Sequence, residues 1–203
     1  MKSPRRHFGP VLGALFLLVI SGCATLQQIA ALRNVDFSLG HISDARLAGI
    51  DLGRIGSFRD LAIVDAGRLA VGVSQNRLPL EFELHVLAEN PAENTTDAVL
   101  IGMDWTLLLQ DRETLSGAFD GNVLLPPGQP TDVPITISLN LVDFFEGSAQ
   151  DLLELALSLT GQGEAPVGAP KEVALRATPV IDTPLGPMRY PRPITILSRE
   201  IGR

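Results

Sequence analysis

One cysteine, one tryptophan and one tyrosine occur in 203 residues, and aromatic residues make up only 5% of the chain. A single cysteine excludes an intrachain disulfide. Three histidines, one of them at position 7, leave little from which to build a His/Cys metal site, and none is expected. Long apolar runs are missing too. The stretch Val11–Ile20 has ten residues, far short of the roughly 20 a spanning helix needs. Basic charge is scarce: 16 Lys and Arg stand against 23 Asp and Glu, for a net charge of −7. Residues 1–22 hold Lys2, Arg5 and Arg6 and no acid, so the remaining 13 basic and 23 acidic residues leave −10. Such a surface repels nucleic acid and anionic headgroups, and charge would not hold it at a membrane. What the chain does have is 45% apolar and 19% charged residues, the balance of one globular domain with an aliphatic core.

The lone cysteine sits in "LFLLVISGCATLQQ". Met1–His7 is short and basic, Val11–Ile20 is apolar, and Ser21 and Gly22 are small. This is the layout of an export signal. Ile20-Ser21-Gly22-Cys23 resembles the lipobox of bacterial lipoproteins at all four positions. The resemblance implies cleavage between Gly22 and Cys23 and acylation of Cys23. It also implies a membrane-bound protein, because each buried methylene adds about 0.8 kcal/mol of membrane affinity. A non-lipidated signal with an incidental cysteine is one alternative, and a twin-arginine signal at Arg5-Arg6-His7-Phe8 is another. Residue 24 is Ala rather than Asp. By the enterobacterial sorting rule this points to the outer membrane, on its periplasmic face. The expected organisation is a signal over 1–22, a lipidated tether over 23–32 and one domain over 33–199.

Within that domain, period-two alternation predicts half-buried strands. Leu78, Leu80, Phe82, Leu84, Val86 and Ala88 alternate with Glu81, Glu83 and His85. Val99, Ile101, Met103, Trp105, Leu107 and Leu109 form a second series. Val133, Ile135, Ile137, Leu139 and Leu141 form a third, and Val173, Leu175, Ala177 and Ile181 a fourth. One wet face per strand predicts a mainly β, antiparallel sandwich rather than a parallel sheet. Two helices are predicted to pack on it. One spans Ser57–Val73, capped at Ser57 with Asp60 three residues on, and turns Ile63, Ala66, Ala70 and Val73 inward. Gly67 and Gly72 weaken it. The other presents Phe145, Ala149, Leu152, Ala156 and Leu159 on one face and ends near Gly161.

Taken as a set, several short motifs resemble the late-embryogenesis-abundant type 2 family, also called the water-stress and hypersensitive-response domain. They are Asn90-Pro91 after a strand, Gly117 in the next hairpin, Pro126 to Gly128 before the third strand, and Thr183-Pro184-Leu185-Gly186. The resemblance spans roughly Arg33 to Leu197. It implies an immunoglobulin- or fibronectin-III-like sandwich with a packed helix, and a stress or desiccation role. Pro91 would stop the strand and Asn90 would tolerate the turn. Ala92 and Glu93 depart from the family pattern, as does the insertion Asp51–Arg77.

Chemistry is harder to find in the linear chain. His41 and His85 lie 44 positions apart with no cysteine to join them. Ser116-Gly117 lacks the preceding glycine of a nucleophile elbow. Gly49, Gly53 and Gly56 lack the Lys-Ser/Thr of a phosphate loop. Asp111 and Glu113 read as a solvated turn, Trp105 as core, and Asn94-Thr95-Thr96 as an inert sequon. With no nucleophile and base adjacent in the pattern, the expected protein is a non-enzymatic, cofactor-free, lipid-anchored envelope domain. It would act in protection or interaction and leave nucleic acid alone. The rival reading is a carrier that holds an apolar ligand or envelope component in a cleft behind the helix ending at Leu159. The oligomeric state is open.

Overall fold

Alternation along residues 78–88 becomes a strand with every second side chain buried. In the computed structural model, Leu78, Leu80, Val86 and Ala88 are fully enclosed, while Glu81 and Glu89 face solvent. The structure describes residues 35–94, 96–109, 112–161, 173–182 and 186–197. Gly22, Cys23, the tether, Thr183 and Pro184 lie outside the described residues.

The strands are β1 (Asp36–Leu47), β2 (Ile50–Asp51), β3 (Pro79–Glu89), β4 (Ala98–Leu109), β5 (Arg112–Leu125), β6 (Pro130–Asn140), β7 (Val173–Asp182), β8 (Met188–Arg189) and β9 (Ile194–Leu197). Among the described residues two α-helices interrupt them, α1 (Ile63–Ser74) and α2 (Ala149–Leu159). One sheet runs β2-β1-β3-β6; the other runs β5-β4-β7-β8, with β9 also on β7. All these pairings are antiparallel. The chain changes sheet between β3 and β4, between β5 and β6, and between β6 and β7. This is the sandwich expected from the alternation, with fibronectin-III-like connections. Phe82, Leu84, Trp105, Leu107, Ile135 and Ile137 share one core, as their parity requires.

The register of β4 differs from a uniform alternation. At a bulge between Leu100 and Gly102, β4 spends two residues against one of β7, while β5 spends three against two of β4, and the parity of β4 reverses there. Ala98 and Leu100 therefore face inward before the bulge, and Met103, Trp105 and Leu107 after it. Val99 and Ile101 are only half-buried. The edge strand β5 has no clear period, because one side of an edge lacks a neighbour to bury against.

The helices are also shifted. Asp60 Oδ2 accepts from the Ser57 amide at 2.8 Å, but this bracket closes a single 3-10 turn, Phe58–Asp60. Extended Ala62 then separates that turn from α1. The inward residues of α1 are Leu69 and Gly72, with Ala66 and Val73 half-buried. Ile63, at 92% exposure, and Ala70 face outward. Gly72 is required rather than weakening: a Cβ there would lie 2.9 Å from the Arg77 carbonyl.

Helix α2 starts at Ala149, after the cap Ser148, whose amide donates to Asp151 Oδ2 at 2.9 Å. Hydrogen bonds from Ser148, side chain first, hold the Asp151 carboxyl below the usual carboxylate range. From Leu152 to Leu159 only Glu154 is less than buried. Leu152, Leu153, Ala156 and Leu157 join the sandwich core itself. An all-round buried helix of this kind is a core element, not an amphipathic lid. The carrier reading places its cleft behind this helix, where the described side chains are buried.

Candidate functional site

The described motif residues fall in three places. Asn90 ends β3, is 1% exposed, and bridges to Pro127. Its Nδ2 donates to the Leu125 carbonyl at 2.9 Å and the Thr96 carbonyl at 3.1 Å. Its Oδ1 accepts from Asn94 Nδ2 at 2.6 Å, and its carbonyl accepts from the Gly128 amide at 2.7 Å. Gly128 has φ +69°, and a Cβ there would sit 3.1 Å from that of Ala92. Asn90, Pro91, Pro126 and Gly128 thus form one knot that ties the end of β3 to the end of β5. Asn90 acts there through its buried side chain, not through turn tolerance as the sequence suggested. Gly117 lies elsewhere, opposite Trp105. A Cβ on it would be 2.4 Å from the indole ring. Gly186 adopts φ +103° just before β8. These residues shape the sandwich and offer no reactive group.

An open depression of about 440 Å³ marks the outer face of the second sheet, lined by Asp104, Thr106, Ser116, Arg176, Thr178 and Pro193, with Trp105 and Gly117 at its floor. Its charges are already engaged, Arg176 with Glu113 and Asp104 with Arg189. Thr106 and Ser116 hydrogen-bond each other at 2.9 Å.

The outer face of the first sheet carries the more specific arrangement. Ser43 Oγ lies 2.9 Å from His85 Nε2, and His85 Nδ1 lies 2.7 Å from Asp132 Oδ2. The three residues come from β1, β3 and β6, adjacent strands of one sheet. Register explains the alignment. Ser43 pairs with Glu83, two residues from His85, and Asp132 pairs with Leu87, two residues on the other side. Each contact is therefore a diagonal between neighbouring strands, within reach of a polar side chain.

Ser43 faces outward only because β1 bulges twice. Between Leu39 and Ile42, and again between Ser43 and Arg46, β1 spends three residues against two of β3. Each bulge reverses the parity. Without them Ser43 would share the inward face of Leu39 and Leu47. Asp44, in the second bulge, has φ +52°. In the first, a Cβ on Gly40 would lie 3.0 Å from the His85 carbonyl.

The imidazole is closely held. His41 stacks on it with ring centroids 4.1 Å apart and planes 9° from parallel, and the His85 side chain is only 12% exposed. An ionised Asp132 can only accept, so Nδ1 carries the proton. In the neutral ring Nε2 is then an acceptor, and the Ser43 hydroxyl donates to it. Both ring nitrogens of His85 are thus occupied. Among the described residues no group of three His, Cys, Asp or Glu side chains could hold a metal ion. Sequence reasoning missed this trio because its members are 42 and 47 positions apart and no local motif surrounds them.

No family model and no curated protein matches the chain. Solved structures similar to it include a protein from Archaeoglobus fulgidus, at 14% identity and TM-score 0.35, covering 79% of this chain and 94% of that one. A Bordetella pertussis protein described as a candidate ApaA is 12% identical with TM-score 0.36, covering 80% and 92%. A candidate late embryogenesis abundant (LEA) protein is 10% identical with TM-score 0.39, covering 96% and 92%. None of these likenesses assigns an activity to this chain.

Proposed function

We propose that this protein is a lipid-anchored domain of the bacterial envelope, with a stress-associated protective or interaction role exerted through its surface. The observation that carries the anchoring is the placement of the only cysteine, Cys23, after a basic start, a ten-residue apolar run and Ile20-Ser21-Gly22. Cys23 precedes the first strand by 13 positions. At about 3.3–3.6 Å per residue that tether reaches at most about 45 Å, so the sandwich would stay close to the bilayer. A net charge of −10 after residue 22 keeps it hydrated and away from anionic headgroups. The protective role requires no catalysis. Its support is the motif resemblance at Asn90-Pro91 and Pro126–Gly128, together with a core that α2 fills.

Intact mass of the protein purified from membranes tests the anchor. The expected species begins at Cys23 and carries two or three acyl chains, and Cys23→Ser abolishes them. A mature chain beginning elsewhere, or an unmodified Cys23, removes this reading. Drying a labile enzyme beside the protein tests the role. Protection should exceed that given by an equal mass of an unrelated acidic protein. Stoichiometric co-purified lipid other than the anchor, with no drying protection, would favour carriage instead. The exposed Ile63, Val64 and Val71 of α1 would then be the surface to examine.

A further inference from the structure

We propose that Ser43, His85 and Asp132 form a hydrolytic site for small uncharged carboxylic esters. The proposal goes beyond the anchoring reading and does not depend on it. The order of contacts is the one nucleophilic catalysis requires. A carboxylate holds Nδ1–H, and the opposite nitrogen accepts from a hydroxyl. The lengths of 2.7 and 2.9 Å are already within hydrogen-bond reach.

Three features separate this trio from an ordinary polar patch on a sheet. Two bulges within one strand turn Ser43 outward beside His85. The residue after it, Asp44, is a non-glycine held at φ +52°, and such outliers concentrate where function needs them. Stacking on His41 and burial restrict the His85 ring, which touches both partners.

In the reaction, Ser43 Oγ bonds to the ester carbonyl carbon as its proton passes to His85 Nε2. The tetrahedral oxyanion collapses and expels the alkoxide, which leaves with that proton as the alcohol. Water, the co-reactant, then gives a proton to His85 and attacks the acyl carbon. The carboxylic acid departs and Ser43 recovers its proton. Ser43 and His85 are the catalytic residues. Asp132 is a positioning residue that keeps the proton on Nδ1 and stabilises the imidazolium. The oxyanion is assigned to the backbone N–H of Asp44, the bulge residue that follows Ser43. The residue following the nucleophile is a recurrent source of that donor.

The surroundings select the substrate. Glu83 lies directly across from Ser43, Asp44 follows it, and Asp132 is exposed at the end of the relay. Anionic esters are repelled. The face is an open sheet, so small acyl groups with good leaving groups are favoured over substrates that need an enclosing pocket.

The test uses the full chain in detergent, with an alkyl fluorophosphonate as covalent probe and 4-nitrophenyl acetate as substrate. Mass mapping should find one phosphonyl group per chain, on Ser43, and nitrophenolate release above the buffer rate. Ser43→Ala and His85→Ala should lose both. Asp132→Asn should lower kcat by about 10²- to 10⁴-fold with KM little changed, and Ser38→Ala, on the exposed part of β1, should match wild type. Labelling of wild type needs no variant to fold. Phosphonylation elsewhere or nowhere overturns the proposal. So does Ser43→Ala that releases nitrophenolate at the wild-type rate, since the trio would then be a structural network only.

Discussion

Replacing Asn90 by alanine should be among the costliest single changes outside the apolar core. The side chain is 1% exposed and its Nδ2 serves two carbonyls, those of Leu125 and Thr96. Alanine removes both donors and leaves the Leu125 carbonyl in a buried setting without this partner. A lost hydrogen bond is worth about 0.5–1.5 kcal/mol net, and an unsatisfied buried polar group about 1–3 kcal/mol. The combined cost is about 2–4 kcal/mol, a large share of the roughly 5–15 kcal/mol that keeps a domain folded. In urea, where a small domain loses about 1–3 kcal/mol per molar, the midpoint should fall by about 1–2 M with the slope unchanged. Asn90→Asp is the sharper probe. It keeps an acceptor for Asn94 Nδ2 but turns a carboxylate oxygen toward two carbonyls, so it should cost at least as much as alanine. Pro91→Ala should change stability little, because proline only withholds a donor there. Urea denaturation followed by tryptophan fluorescence reads all three. If Asn90→Ala costs under 0.5 kcal/mol, or Asn90→Asp matches wild type, the side-chain bracket is not what closes the end of β3.

Gly117→Ala should destabilise by about 1–3 kcal/mol and shift the Trp105 emission, because the new methyl meets the indole at 2.4 Å. An unchanged spectrum and midpoint would mean that the ring is not packed on β5. Tyr190 supplies a pH test. Burial first, and the Asp36 charge second, push its phenol up to about 12. The unfolded phenol titrates near 10, so between about pH 10 and 12 the unfolded chain has lost a proton that the native one keeps. This contribution is fully present below about 10 and is lost as pH rises through 12. Because Tyr190 is the only tyrosine, phenolate absorbance measures it directly. A native midpoint near 10 would refute the burial.

The outline of the sandwich was legible in the sequence wherever one face of a strand is buried and the other is wet. β3 and β6 read off directly because each lies between a core and solvent, and a period of two is then the only pattern that satisfies both. The same logic makes Cys23 conspicuous: a single cysteine beside an apolar run is a local, linear signal. Where a bulge enters, local reading fails. One extra residue in β4 moved Leu100 inward and Val99 outward, and the pairing that tolerates that residue belongs to the neighbouring strands. α1 was displaced because Ser57 and Asp60 make the same bracket around a single 3-10 turn as at the start of a helix. α2 read as amphipathic, yet the tertiary structure buries most of it from Leu152 onward, since the sandwich core, α1 and the 3-10 turn at Phe58–Asp60 decide how many of its sides are covered. Ser43, His85 and Asp132 are the extreme case. No spacing along the chain relates them; they meet because β1, β3 and β6 lie side by side in a diagonal register, and because two bulges in β1 point a serine outward that simple alternation would have buried.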